Sequence, residues 1–447
     1  MKKILVLLLC LTIVLSFALG ACQSTPAPTT TTAAAEVTTE AETTSAAGET
    51  YHIEMWQFAG ESPDAFPGMQ ELYDNINAAY TANNPGITIT TTVLPSRNRE
   101  TRMMTAFAAG NGPDCAYINS DILALFQFND VVVPIDDYVT NETIDLWIPE
   151  VLNQAKIGGK LYGLPCLIDV SVPCYNLDLL AQVGVTEDDL PTTWDEFDQL
   201  LEKCAAGGIT PIYLPIAAGP ILSNQYAMLF SEGCSVVDLS GEVTIDNPAG
   251  MKCFERIAKW FQNEWTPKDS ISVSDQNGTF IEGTVATCLP MNSGFYVGVA
   301  PNFPFNWAAG QILAGDAGQV ASGTFAVFSV TKDCDNIPET VKFLEFFDND
   351  ENNLKWCDFS GYLSPHKNYE STNKDLKGYD IVIASAGLVK GNPDHAISRT
   401  MSPLFISHTQ AIASGSVTPA EGVANLKNDI QERIDEMVFL IENPYAN

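Results

Sequence analysis

From Tyr51 onward the chain alternates short apolar runs with segments of helical period. His52–Phe58 predicts a strand, Phe66–Asn83 a helix, Ile87–Leu94 a strand rich in β-branched residues, Arg97–Ala109 a helix and Cys115–Ile118 a short strand. This βαβαβ order predicts an α/β fold with parallel strands covered by helices, and ligands received beyond the carboxyl ends of the strands. Helix starts are well marked further on. Thr193-Trp194-Asp195-Glu196 has capping-box spacing, Asn247-Pro248 opens another helix, and Thr418-Pro419-Ala420-Glu421 opens the last. Phe254, Ile257, Ala258 and Phe261 share one helical face. Val423, Leu426, Ile430, Ile434, Met437 and Ile441 form the apolar stripe of the final helix. No repeat of about 20–50 residues argues for a solenoid or propeller.

The first fifty residues follow different rules. Met1-Lys2-Lys3 precedes an almost unbroken apolar run from Ile4 to Leu19, the pattern of a secretory signal peptide. Leu19-Gly20-Ala21-Cys22 resembles a bacterial lipobox. Residues 1–21 are therefore expected to be a removable leader, and Cys22 the lipid-bearing first residue of the mature chain. Acyl chains contribute about 0.8 kcal/mol per buried CH₂, enough for two or three of them to anchor the chain stably. Residues 22–50 are the cysteine followed mainly by Thr, Ala, Ser, Pro and Glu, with Val37 as the one large apolar side chain, so they read as a solvated tether. No other stretch reaches about 18 uncharged apolar residues, so no membrane span is expected.

Composition narrows the function. In 447 residues, 55 Asp and Glu stand against 22 Lys and Arg, a formal charge of −33 that repels phosphate backbones and makes nucleic acid an unsuitable partner. The four histidines, His52, His366, His395 and His408, fall in no metal-binding spacing, so neither a metal nor a cofactor is expected. Gly110-Asn111-Gly112 follows a helix and precedes a strand, which reads as a helix C-cap rather than a phosphate cradle. There is no P-loop and no G-x-S-x-G; the two S-x-x-K matches, at Ser329 and Ser364, lack their partner motifs. Nine of the 11 cysteines follow Cys22, an odd number that cannot all pair internally. Most are expected to be buried thiols, with Cys166 and Cys174 the exception to watch.

Several blocks, in order, resemble the extracellular solute-binding proteins of ABC importers, in the group that contains maltose-binding protein. They are Ile53-Glu54-Met55-Trp56 and the segment Phe107-Ala108-Ala109-Gly110-Asn111-Gly112-Pro113-Asp114. Next come Gly159-Lys160-Leu161-Tyr162-Gly163-Leu164-Pro165, Tyr175-Asn176-Leu177-Asp178-Leu179-Leu180 and Pro191-Thr192-Thr193-Trp194-Asp195-Glu196-Phe197. Phe280 to Ala286, followed by Gly294-Phe295, completes the series. The resemblance spans Tyr51 to the C-terminus. It implies a two-lobed periplasmic-binding-protein-like fold, each lobe a mixed, mostly parallel sheet flanked by helices, joined by a hinge. Lobe 1 is expected at residues 51–168 plus 322–358 and lobe 2 at 169–321 plus 359–447, with crossings near Asp169, Ala321 and Phe359.

Tyr175, Asn176 and Trp194 are structural in such blocks. Recognition is carried over to Trp56, Glu61, Asn119, Asp121, Asp169 and Tyr226. Phe295 stands where a sugar-stacking tryptophan is common, with Tyr296 beside it as a substitute. Asn224, Asn292, Trp307 and Tyr362 join the set as aromatic or uncharged polar residues near strand ends and loops. Carboxylates and amides suit hydroxyls, and flat rings suit the apolar face of pyranoses. An anionic solute needs a cleft cation, and among Arg97, Arg99, Arg102, Arg256, Arg399 and Arg433 the one to watch is Arg399. The reading is thus a monomeric, non-enzymatic sugar or oligosaccharide receptor, held by its lipid on the extracytoplasmic face of the cell membrane and delivering to the permease subunits of an ABC transporter. A secreted glycoside hydrolase, with paired carboxylates drawn from the many acids, and a receptor for a peptide or polyamine are the alternatives.

Overall fold

In the computed structural model the described residues are 50–59, 68–95, 99–217, 219–238, 240–273, 278–391 and 395–442, with the side chains of 59, 219–223, 399 and 439–442 left aside. The leader at 1–21, the lipid-bearing Cys22, the tether to residue 49, Glu61 and the Arg399 side chain lie outside that set. No helix among the described residues is long and apolar enough to cross a membrane.

The strands of the main sheet are β1 Tyr51–Ala59, β2 Ile87–Pro95, β3 Cys115–Asn119, β4 Leu164–Asn176, β5 Thr287–Asn292, β6 Trp307–Ala309 and β7 Ser322–Val330. Their order is β2-β1-β3-β7-β4-β5, with β6 also on β4. β1 runs parallel to β2 and β3, as the βαβαβ pattern predicts. The β7–β3, β7–β4, β4–β5 and β4–β6 pairs are antiparallel. The connecting helices α1 Met69–Asn83 and α2 Arg99–Ala108 occur where the periodicity places them. Asp114 fastens β3 to β1: its carboxylate accepts from the Tyr51 hydroxyl at 2.7 Å and the Glu54 amide at 2.8 Å.

The glycine-rich block ends α2. Gly110 takes φ +67°, and the Asn111 amide donates to Ala106 O at 3.0 Å, closing a Schellman turn. Gly112 then passes so close to the Phe107 ring that a Cβ there would lie 2.2 Å from it. Gly110 is favoured by its backbone conformation, Gly112 by the side chains packed against it.

Later helices are α3 Ser120–Phe128, α4 Trp194–Ala206, α5 Gly219–Glu232, α6 Pro248–Gln262, α7 Ser293–Gly298, α8 Ile337–Phe347, α9 Asp350–Ser360, α10 Ser398–Ala413 and α11 Pro419–Glu442. Thr193 and Glu196 form the predicted capping box on α4, each accepting the other's amide at 3.2 Å. Thr418 and Glu421 repeat it on α11. The structural blocks behave as such: the Asn176 side chain accepts from the Leu179 amide at 3.1 Å, and the Trp194 indole donates to Ser231 Oγ at 3.0 Å.

Two hydrophobic cores result. The first gathers Ile53, Met55, Tyr73, Phe107, Phe126, Leu167, Phe328 and Phe347, and takes in Leu363, Tyr379 and Val389. The second gathers Phe197, Leu201, Phe254, Ile257, Phe261, Phe405, Leu426 and Ile430, beginning at Tyr175 and resuming at Ile397. β4 is common to both: its residues up to Cys174 sit in the first and Tyr175 in the second. No S–S bond joins the nine cysteines of the body in this structure, and eight of them are buried. Cys166 and Cys174 cannot be the exceptional pair. They lie at opposite ends of the extended β4, about 26 Å apart at roughly 3.3 Å per residue, far beyond the reach of a disulfide.

Candidate functional site at the seam between the cores

Residues directly opposite one another in an antiparallel pair share a face of the sheet, as do residues two apart on one strand. Ser171 faces Ser322, Asp169 faces Thr324, and Ala326 faces Asn119. One face of the sheet, where β4 passes from one core to the other, therefore carries Asn119, Asp169, Ser171, Ser322 and Thr324. The intervening residues Val170 and Phe325 are buried in the first core. Ser171 and Ser322 are buried and the other three partly so, and a concentration of five polar side chains on such a face costs free energy unless something satisfies them.

Part of that demand is met internally. Asp169 Oδ1 accepts from Ser293 Oγ at 3.0 Å and from the Ser293 amide at 3.3 Å, at the first turn of α7. Asn292, opposite Ser171, caps the same turn by accepting from the Phe295 amide at 3.0 Å. Ser120 Oγ lies 3.0 Å from Thr324 Oγ1. Across the floor, Arg99 Nη2 pairs with Asp121 Oδ1 at 3.0 Å, the two side chains 17% and 16% exposed. Other atoms are left over. Asn119 Oδ1 and Ser322 Oγ are buried without a hydrogen-bond partner among the described residues. Ser322 lines, with Ser171, Asn224 and Trp194, a cavity of about 20 Å³, which has room for a single water.

Electrostatics follow from this packing. Burial pushes the Asp169 carboxyl up to about 6, against the pull of its Ser293 hydrogen bonds. Burial also raises the Tyr362 hydroxyl, with Asp169 raising it further and Arg99 drawing it down, which puts Tyr362 in the field of both. Its ring packs on Trp356 at 6.0 Å. Nearby Phe359 is 42% exposed, its ring 3.8 Å from where a Gly68 Cβ would stand.

The seam thus brings together Asn119, Asp121, Asp169, Asn224, Asn292 and Tyr362 of the expected set. The remaining described side chains are held elsewhere. Trp56 lies mid-strand, opposite Thr92 and Ala116, and its indole donates to Glu54 at 2.8 Å. Tyr226 is buried between Phe230 and Phe405. Tyr296 is fully buried and donates to Pro173 O at 3.2 Å. Trp307 packs on Tyr296 and Phe303, and half-buried Phe295 also rests on Phe303. These rings fill the cores, where large aromatics contribute most. Sequence reasoning passed over Ser293, Ser322, Thr324, Phe359 and the pairing of Arg99. The alternation Ser322-Gly323-Thr324-Phe325 was the available signal for two of them, polar and apolar positions trading places on an otherwise apolar strand. Among the described residues no group of three or more His, Cys, Asp or Glu could hold a metal ion.

Comparison with known proteins agrees with this architecture. A binding protein of Brucella abortus is 25% identical over 328 residues, 70% of this chain and 78% of the relative. The sugar-binding protein MalE of Xanthomonas citri superposes with a TM-score of 0.74 at 18% identity, over 88% of this chain and 100% of that one. An ABC substrate-binding protein of Listeria monocytogenes, solved in complex with cycloalternan, superposes with a TM-score of 0.68 at 19% identity, over 87% and 100%. Both are two-lobed α/β folds. The family model for bacterial extracellular solute-binding proteins matches residues 75–379, some two thirds of the sequence, and the chain belongs to that family.

Proposed function

We propose that the seam is the floor of a cleft that captures a neutral sugar or oligosaccharide, which the chain delivers unaltered to the membrane permease of an ABC transporter. The observation that carries this reading is the pair of buried, unpartnered acceptor-capable atoms, Asn119 Oδ1 and Ser322 Oγ, set on one face with Asp169 and Thr324. Buried polar atoms without partners are uncommon in a native protein unless a ligand or water completes them. A hydroxyl-rich guest supplies both donors and acceptors. A negatively charged guest is disfavoured, because Arg99 already serves Asp121 and Asp169 brings a carboxylate of its own. Tyr362 and Phe359 offer ring faces beside the floor.

β4 at Asp169–Ser171 and the entry to β7 near Ala321 serve as two hinge strands. A third crossing near Phe359 completes the hinge. Closure is then favoured by the difference between ligand contacts in closed and open states. A lipid on Cys22 holds the monomeric receptor on the outer face of the membrane, with residues 23–50 as its tether.

Calorimetry of the purified chain against a panel of mono- and oligosaccharides tests the proposal. The expected result is a single site, with a dissociation constant near 1 μM corresponding to about −8 kcal/mol, and a more compact scattering profile on binding. A panel without any binder overturns it. Release of reducing ends from the guest identifies a glycoside hydrolase instead.

A further inference from the structure

We infer that Cys174 and Cys288 are the site of a cross-strand disulfide that staples the hinge strand β4 to β5. The two residues stand opposite each other in the antiparallel pairing of these strands, at the point where the register shifts between Val172 and Cys174. Opposed residues in such a ladder have Cα atoms about 4.5 or 5.5 Å apart, and either spacing falls within the range a disulfide spans. Opposed side chains also share a face, so the two sulfurs point the same way.

Three of the other thiols have different company. Cys357 Sγ is directed at the Cys166 carbonyl oxygen and the Asn353 amide oxygen rather than at a sulfur. Cys234 Sγ faces the Thr244 carbonyl. Cys204 lies in the second core with Lys203 as the one charged influence on it. The Tyr296 hydroxyl, packed against Cys174, lies beside the sulfur it would otherwise leave bare.

The consequence reaches the seam. β5 ends at Asn292 and Ser293 follows, so a bond at 288 fixes the strand whose end meets Asp169. Membership of an extracellular family puts the chain where disulfide oxidants operate. In the step itself, each thiol gives up one proton and one electron and the two sulfurs join. The oxidant, a protein or small-molecule disulfide, takes up both electrons and both protons and is cleaved to two thiols. Burial raises the Cys174 thiol to about 12 and pushes Cys288 well above its ordinary value, so little thiolate exists in the folded body. The bond therefore forms as the chain folds, before the strands close over the sulfurs.

The test is to unfold the full chain in guanidinium with reductant, remove both, and refold it in mixed reduced and oxidised glutathione. Alkylation, unreduced digestion and mass spectrometry then report the linkage. The expected product is a Cys174 peptide joined to a Cys288 peptide, two hydrogens lighter than their sum, with two fewer alkylated thiols than the chain refolded in reductant. Cys288→Ala removes the joined peptide and leaves Cys174 alkylated, whereas Cys204→Ala leaves the joined peptide intact. A natively folded wild-type chain with both cysteines alkylated, or with either bonded to another cysteine, overturns the inference.

Discussion

Two buried polar clusters in this molecule are built on opposite principles. In the second core, Arg256 is 4% exposed and every arm of its guanidinium is engaged: Nη1 with Glu232 at 2.9 Å, Nη2 with Asp195 at 2.5 Å and Nε with Asp198 at 3.5 Å. The acids are satisfied in turn. Glu232 also accepts from Lys252 at 2.8 Å and the Asp316 amide at 3.1 Å, and Asp198 accepts from the Trp260 indole at 2.6 Å. At the seam, by contrast, Asp169 is held by the neutral Ser293, while Asn119 Oδ1 and Ser322 Oγ have no hydrogen-bond partner among the described residues. A closed network holds α4, α5 and α6 together and asks for nothing from outside. An open one, on strands shared by two cores, is a surface waiting for a guest.

The sharpest way to break the contrast is at its closed end. Arg256→Met leaves Glu232, whose side chain is fully buried, with Lys252 as its remaining ion-pair partner. Removing one member of a buried ion network costs about 3–5 kcal/mol, so urea unfolding should shift its midpoint downward by a large fraction of the whole stability. Sugar affinity of the fraction that stays folded should be unchanged. A variant as stable as the parent means the network is dispensable and the contrast drawn here is wrong.

How much of this was legible beforehand depends on whether the cause was local. The alternation of Ile53 and Met55, the β-branched run at 87–93 and the two capping boxes are local causes, and the elements stand where they predict. The Asp169 carboxyl was reached through the family resemblance, as the acid of an expected hinge strand. What brings Ser322 and Thr324 opposite Ser171 and Asp169 is register between strands about 150 residues apart, and no periodicity encodes it. The aromatics show the same limit from the other side. Tyr226, Tyr296 and Trp307 carry the residue types of a sugar platform, but their helices and strands turn them inward, and only packing reveals that. Likewise nothing in the sequence announces that Leu363, Tyr379 and Val389 pack into the first core.

The open end of the comparison is probed next by Asp169→Asn. In the folded chain the Asp169 carboxyl titrates near 6, above its ordinary value of 3.8, because it is desolvated. Between those values the folded state holds more protons than the unfolded one, so ionisation of Asp169 lowers stability as pH rises from about 4 through 6. The amide cannot ionise. The variant should therefore gain on the order of 1–3 kcal/mol over the parent above pH 6, nothing below pH 4, and show a flatter pH profile of thermal unfolding. Its sugar affinity should fall, since a hydrogen bond to a charged acceptor contributes about 1.5–3 kcal/mol. Stability that rises while binding falls is the signature of a group placed for a guest. If both fall together, Asp169 is structural.

The smallest expected effect is also the most discriminating. Ser322→Ala deletes an oxygen that has no partner in the unliganded chain and leaves the strand and its register intact. By the logic of the closed cluster, removing a buried polar group should destabilise; here it removes a desolvation cost instead, so the midpoint of unfolding should stay level or rise slightly. If a sugar hydroxyl is what completes that oxygen, affinity drops by about 0.5–1.5 kcal/mol, roughly two- to twelvefold in dissociation constant, measured by calorimetry on both chains with the same sugar. A water in the 20 Å³ cavity is the competing partner, and it predicts a different pair of numbers: lower stability and unaltered affinity. The two outcomes separate because a guest is absent from the unfolding experiment while a resident water is not.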